Sequence, residues 1–246
     1  MLQGLPGAVN GTLAGFFLGG PAINPAGAIT GTYFDANYNT YCFLRAPDGT
    51  ITTFDLPGAV NGTFCVAITP AGAITGQYTD ANFVGHGFVR DRDGTITIFD
   101  VPGVAVFSTQ PYGINPAGAI TGEYFDASFA HGFLRAPDGT FSTFDVPGSC
   151  TLHCTTNPVG INPAGVITGF SYDLSAGHGF VRDRDGTITT FDVPGAVAGT
   201  QSLGIGINPA GTVTGYYVDQ TNVSHGFLRA AGGAITTVDV PGSTGT

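Results

Sequence analysis

Residues 102–146 fall into four short runs rich in β-branched and aromatic residues, each bounded by Gly, Pro, Asn or Asp. Residues of those types favour a pleated surface, so the pattern predicts strands. Ser108–Ile114 reads as a first strand and Asn115-Pro116-Ala117-Gly118 as a turn, with Pro pre-set for it and Gly free to take positive φ. Ala119–Asp126 reads as a second strand, His131–Arg135 as a third and Thr140–Val146 as a fourth, the last two joined by Pro137-Asp138-Gly139. Apolar residues fall on both sides of these strands: Phe141 points one way, Phe144 and Val146 the other. A sheet with one wet face alternates apolar and polar positions. This one is therefore expected to pack between two neighbours about 10 Å away.

The same unit fills the chain. Ile-Asn-Pro-Ala-Gly starts at Ile23, Ile114, Ile161 and Ile207, and Ile-Thr-Pro-Ala-Gly at Ile68, at intervals of 45, 46, 47 and 46 residues. Four strands repeated with that period predict an all-β fold, a five-bladed β-propeller with four antiparallel strands per blade. One domain is expected over residues 1–246, with repeats near 6–56, 57–101, 102–146, 147–193 and 194–240. A β-trefoil would show three repeats, and solenoid repeats are shorter and capped. Gly31, Gly76, Gly122, Gly169 and Gly215 stand mid-strand in every copy. Gly weakens a strand unless something must approach its backbone closely, a need that fits the crowded hub of a small propeller. Leu5–Thr12 repeats Leu56–Thr63, so the chain starts in the loop after a fourth strand. Each blade is then contiguous in sequence if the first strand is innermost, a phase the repeat leaves open.

Composition narrows the partners. Gly and Pro are abundant (40 and 16 of 246), but both fall at fixed repeat positions and read as turn punctuation. Net charge is −10 with a pI near 4.5, which argues against nucleic acid, a partner that needs a basic footprint. No apolar run reaches the ~18 residues of a membrane span. No secretory n-region and h-region follows Met1, so the chain either stays inside or has lost a leader. A monomer is expected. Four Cys are too few for a disulfide scaffold. Cys42 and Cys65 occupy strand positions and read as buried small hydrophobes. For Cys150-Thr-Leu-His153-Cys154 a local disulfide, free thiols and a metal site all stay open.

The combination His-Gly-Phe-Leu/Val-Arg, Asp-Gly-Thr, Phe-Asp-Val-Pro-Gly and Gly-Ile-Asn-x-x-Gly-x-Ile-Thr-Gly resembles the bacterial "HAF" extracellular repeats over essentially the whole chain. It departs from them in carrying Gly87, Gly132, Gly179 and Gly226 where the name-giving motif has Ala, and Tyr41-Cys42-Phe43 in the first copy. The resemblance implies an extracellular or cell-surface location and brings no activity and no catalytic residues. In plan the chain is also similar to the tachylectin family of multivalent sugar-binding propellers, although a fold does not set a function.

Candidate chemistry gathers on one end of the predicted body, where the second-to-third and fourth-to-first loops lie. Loops of variable length on a fixed scaffold are where function usually resides. Asp35, Asp80, Asp126, Asp173 and Asp219 close the second strands, and Asp55, Asp100, Asp145, Asp192 and Asp239 close the fourth. His86, His131, His178 and His225 open the third strands between them, with Tyr41 in the first copy. Each repeat should bring Asp, His and Asp together, either as a polar site for sugar hydroxyls or Ca²⁺, or as a hydrogen-bond network that pins the loops. The loop aromatics Tyr38, Phe64, Phe83, Phe107 and Phe129 lie near that end and either line the core or stack on a sugar. At the opposite rim Arg45, Arg90, Arg135, Arg182 and Arg229 are expected to cap carbonyls or bridge blades.

An enzyme needs an asymmetric cluster, such as the paired carboxylates of a glycosidase. Nearly every acid here belongs to a five-fold set, and the lone Glu123, where other copies have Thr32, Gln77, Phe170 and Tyr216, is expected simply to sit on a strand. The chain is therefore expected to be no enzyme but a multivalent binding propeller, with carbohydrate as the ligand class and no cofactor beyond a possible Ca²⁺. The rival expectation is a structural module of recently amplified repeats: Pro25–Gly31, Pro70–Gly76 and Pro116–Gly122 are the same seven residues.

Overall fold

The computed structural model describes residues 22–60, 62–103, 108–127, 129–148, 155–173, 176–197 and 203–242. They form twenty strands in five successive units of four. Unit one holds β1 (Ala22–Ile23), β2 (Ile29–Phe34), β3 (Thr40–Arg45) and β4 (Ile51–Phe54). Unit two holds β5 (Thr63–Ile68), β6 (Ile74–Thr79), β7 (Gly85–Arg90) and β8 (Ile96–Phe99). Unit three holds β9 (Ser108–Ile114), β10 (Ile120–Phe125), β11 (Ala130–Arg135) and β12 (Phe141–Phe144). Unit four holds β13 (Thr155–Ile161), β14 (Ile167–Tyr172), β15 (Gly177–Arg182) and β16 (Ile188–Phe191). Unit five holds β17 (Leu203–Ile207), β18 (Val213–Val218), β19 (Ser224–Arg229) and β20 (Ile235–Val238).

Every unit is an antiparallel meander, and the strands predicted for residues 108–146 match β9 to β12 apart from their ends. Units two, three and four count as one twelve-stranded sheet, because single parallel residue pairs, Gly85 with Ser108 and Ala130 with Thr155, stitch β7 to β9 and β11 to β13. Units one and five are separate four-stranded sheets. The first strands are innermost, β5 against β9, β9 against β13 and β13 against β17, which settles the phase. Among the described residues no helix is long and apolar enough to cross a membrane.

Local turn chemistry accounts for the meander. In Asn-Pro-Ala-Gly, Asn115 Oδ1 accepts the amides of Ala117 and Ala119, and Gly118 takes φ +88°. The Asn115 side-chain amide then donates to the Asn162 carbonyl of the next unit, as Asn24 does to Thr69 and Asn162 to Asn208. One residue both shapes the turn and ties adjacent units. Mid-strand Gly122 answers the expected close approach: a Cβ there would lie 2.1 Å from the Gln110 carbonyl oxygen, where a bulge pushes β9 towards β10.

Packing between units is apolar and repeated. Phe88, Phe133, Phe180 and Phe227 are all but inaccessible, and each meets edge-on the fourth-strand ring of the preceding unit, Phe54, Phe99, Phe144 and Phe191, at 5.9–6.4 Å. Burying each such side chain is worth roughly 3 kcal/mol at most. Over those same outer rings lie the guanidinium groups of Arg90, Arg135, Arg182 and Arg229, 4.8–5.0 Å from the centroids. The arginines therefore bridge units. The turn carboxylates beside them instead accept backbone amides, as Asp138 does from Thr140. At Gly87, Gly132 and Gly179 a Cβ would stand 2.3–2.7 Å from the rings of Phe99, Phe144 and Phe191.

Two features depart from expectation. Cys42 and Cys65 are buried, but they form a disulfide between β3 and β5 rather than two free thiols. The third strand of one unit lies beside the first strand of the next, which brings together cysteines 23 residues apart. Unit five also differs from its neighbours: Val240 is 64% exposed, where Leu56, Val101, Val146 and Val193 are each 3%.

Candidate functional site

The Asp–His–Asp clusters assemble as the strand order requires. His86 Nδ1 lies 2.9 Å from Asp100 and its Nε2 3.6 Å from Asp80. The matching distances are 2.8 and 3.4 Å for His131 (Asp145, Asp126), 2.7 and 3.2 Å for His178 (Asp192, Asp173), and 2.8 and 3.3 Å for His225 (Asp239, Asp219). In unit one the Tyr41 hydroxyl reaches Asp35 at 3.4 Å, and Asp55 instead takes the Thr63 hydroxyl and the Leu56 amide. The predicted site residues therefore lie at one end, in four copies of one Asp–His–Asp arrangement and a variant of it in unit one.

The second-strand acids also fold their loops. Asp35 Oδ1 accepts the amides of Asn37 and Asn39, and Asp80 Oδ1 those of Asn82 and Val84. Asp219 accepts the Val223 amide and the Thr221 amide and hydroxyl, which lowers its pKa to about 2. The Asn39 side chain and the two loop amides likewise hold Asp35 below the usual carboxylate range. His225 titrates above an ordinary imidazole because Asp239 and Asp219 hydrogen-bond its charged form. Burial pulls His178 down, yet Asp192 and then Asp173 outweigh it and raise its pKa. Among the described residues no group of three or more His, Cys, Asp or Glu side chains is arranged to hold a metal ion.

Two of the loop aromatics are presented to solvent. Tyr38 and Phe83 are 72% and 78% exposed, and both hold φ at 64°, a region that costs a residue with a side chain of this size. Phe64 and Phe129 are half-buried. Phe107, Cys150, His153 and Cys154 lie outside the described residues.

One open recess, of about 220 Å³, lies beside the unit-four cluster and is lined by Val146, Pro147, Gly148, Ser171, Asp173, His178, Thr190 and Asp192.

Glu123 breaks the symmetry in a way the expectation of a plain strand position missed. It is 4% exposed, its Oε1 lies 2.6 Å from the Tyr112 hydroxyl, and its Oε2 has no hydrogen-bond partner. The same hydroxyl is 2.8 Å from Gln110 Oε1. Burial pushes the Glu123 carboxyl up to about 7, although the Tyr112 bond opposes the shift. The available signal was its type: a single Glu at a position that is Thr, Gln, Phe or Tyr in the other copies.

No protein-family model and no curated protein matches the chain. Solved structures do. Virginiamycin B lyase from Staphylococcus aureus is similar at TM-score 0.61 and 18% identity, with 95% of this chain and 74% of that one covered. A putative TolB from Agrobacterium tumefaciens matches at TM-score 0.60 and 13% identity over 88% of this chain and 78% of that one. A prolyl endopeptidase structure matches at TM-score 0.63 and 10% identity, covering 91% of this chain but 36% of that one. At these identities the likeness shows the fold alone, a β-propeller. It also corrects the expectation that the chain is no enzyme: a lyase and peptidases are among the proteins that share its architecture, so repetition of the scaffold does not set catalysis aside.

Proposed function

We propose that this chain is a five-bladed β-propeller of HAF-type repeats from the bacterial exterior, which binds glycans multivalently at the end where the Asp–His–Asp clusters recur. The observation that carries the reading is an exposed ring on a loop that a cluster carboxylate folds: Tyr38 on the Asp35 loop and Phe83 on the Asp80 loop. A sugar stacks its apolar face on such a ring, while its hydroxyls donate to carboxylates beside it. Weak sites repeated around one rim gain through simultaneous engagement. Five blades are supported by the recurring interface between successive units. Export is supported by the Cys42–Cys65 disulfide, since such bonds persist in oxidising compartments.

A glycan array tests the reading. Binding is expected with the intact chain and is expected to disappear in a Tyr38→Ala, Phe83→Ala double variant that melts like the parent. A silent array with a folded sample rejects it. The scaffold reading is favoured by a different observation: each of the four described imidazoles already faces an Asp of its own unit on both nitrogens, as a loop-pinning network requires.

A further inference from the structure

Four units set an aspartate three residues after the arginine that ends the third strand: Asp48 after Arg45, Asp93 after Arg90, Asp138 after Arg135 and Asp185 after Arg182. Each of these carboxylates accepts the amide of the threonine two residues on, at 2.8–2.9 Å. That bond first, and its arginine to a smaller degree, hold each one below the ordinary carboxylate range. In unit five the arginine stays and the acid is gone: Arg229 is followed by Ala230-Ala231-Gly232-Gly233.

Arg229 nevertheless keeps the place of its counterparts. Its guanidinium lies 4.9 Å from the Phe191 ring centroid. Its Nη2 is 3.7 Å from where a Cβ on Gly233 would stand, against 3.4–3.7 Å for the same pair in the other four units. It is also the most buried of the five, at 8% exposed, and its Nε has no hydrogen-bond partner. A guanidinium taken out of water without a counter-charge is costly, and an aromatic face offsets only part of that. Beside it the turn is open: a Cβ on Gly232 would meet nothing within 4 Å. Ala234 stands where Thr50, Thr95, Thr140 and Thr187 give their amides to the aspartates. Unit five thus retains the cation, the amide position and the space, and lacks the carboxylate.

We propose that this turn is a binding site for a small carboxylate, held by the Arg229 guanidinium and the Ala234 amide in the space over Gly232. Acetate is the aspartate side chain of the other units as a free molecule. Untethered to the turn, it can take the amide and the guanidinium together, and bonds from a charged donor to a carboxylate are the strong ones. The site is single, set by one departure from the repeat. It lies on the turns between third and fourth strands, at the rim opposite the Asp–His–Asp clusters, and does not depend on what those clusters bind. A blank glycan array leaves it standing, and a blank acetate titration leaves the glycan reading standing.

The test is an NMR titration of the intact chain with acetate at fixed ionic strength, read on the arginine Nε–H resonances, of which the chain has seven. A saturable shift confined to Arg229 and to the Ala234 amide is expected, with Kd on the order of 10 mM. Acetamide, of the same shape without the charge, should move neither. Gly232→Asp restores the residue of the other units and should abolish the response to acetate and raise the melting temperature. Should that variant fold poorly, Arg229→Gln should abolish the response at the Ala234 amide, while Gly232→Ala should retain it. Loss of the response in either of the first two variants supports the site. Absence of saturable binding, equal shifts on all the rim arginines, an equal response to acetamide, or an unaltered response in folded Gly232→Asp overturns it.

Discussion

Replacing Glu123 by Gln tests the buried carboxyl directly. The Tyr112 hydroxyl carries one proton for two acceptor oxygens, Glu123 Oε1 and Gln110 Oε1, and Glu123 Oε2 is buried without a partner. An added proton on Glu123 relieves that deficit. Its pKa is about 7 in the folded chain against the ordinary 4.5. Between those values the folded state holds a proton that the unfolded state has released, so stability falls as pH rises through that window. The loss is roughly 3 kcal/mol at 1.36 kcal/mol per pH unit. A neutral Gln, which unit two already carries as Gln77, removes that dependence. Urea or thermal melts of parent and variant at pH 5 and pH 8 should nearly coincide at the lower pH. At the higher pH the variant should lead by roughly 6–12 °C for a chain of this size. His178 and His225 titrate in both proteins and cancel in the difference. Because Glu123 is the sole Glu, glutamate labelling yields one side-chain carboxyl resonance, expected to titrate near neutrality. A difference between the two proteins that stays flat from pH 5 to 8, or a resonance that titrates near 4.5, refutes the argument.

Reducing the Cys42–Cys65 bond reopens a loop 23 residues long, for which chain entropy predicts a loss of about 3 kcal/mol; melts of the Cys42→Ser, Cys65→Ser pair against the oxidised parent measure it, and equal midpoints rule out a stabilising cross-link. Asp239→Asn should lower the pKa of His225, since Asp239 is the first cause of its elevation. A raised imidazole contributes stability present below its unfolded pKa and lost as pH rises through the folded one, so the variant should be less pH-sensitive over that range. Histidine NMR titration reads the shift, and an unmoved His225 contradicts the assigned cause.

The repeat, the meander and the end that collects acid were legible in the linear chain because each depends on local chemistry. Asn115 and Gly118 shape a turn from residues within four positions of each other, and Asp80 folds its own loop. Strand alternation then carried Asp126, His131 and Asp145 to one rim without further information. Other features waited for the tertiary structure. Which strand is innermost, the stacking of Arg135 on a ring of the preceding unit and the pairing of Cys42 with Cys65 all join different units. So does the closeness that makes Gly132 obligatory, once the Pro158 side chain 3.0 Å from its Cβ position is counted beside Phe144. The raised pKa of Glu123 was equally hidden, although the residue was visible as a departure from the repeat. Near-identical copies specify their own turns, but a contact between copies is set by which faces meet in space, and that is decided only when the units pack.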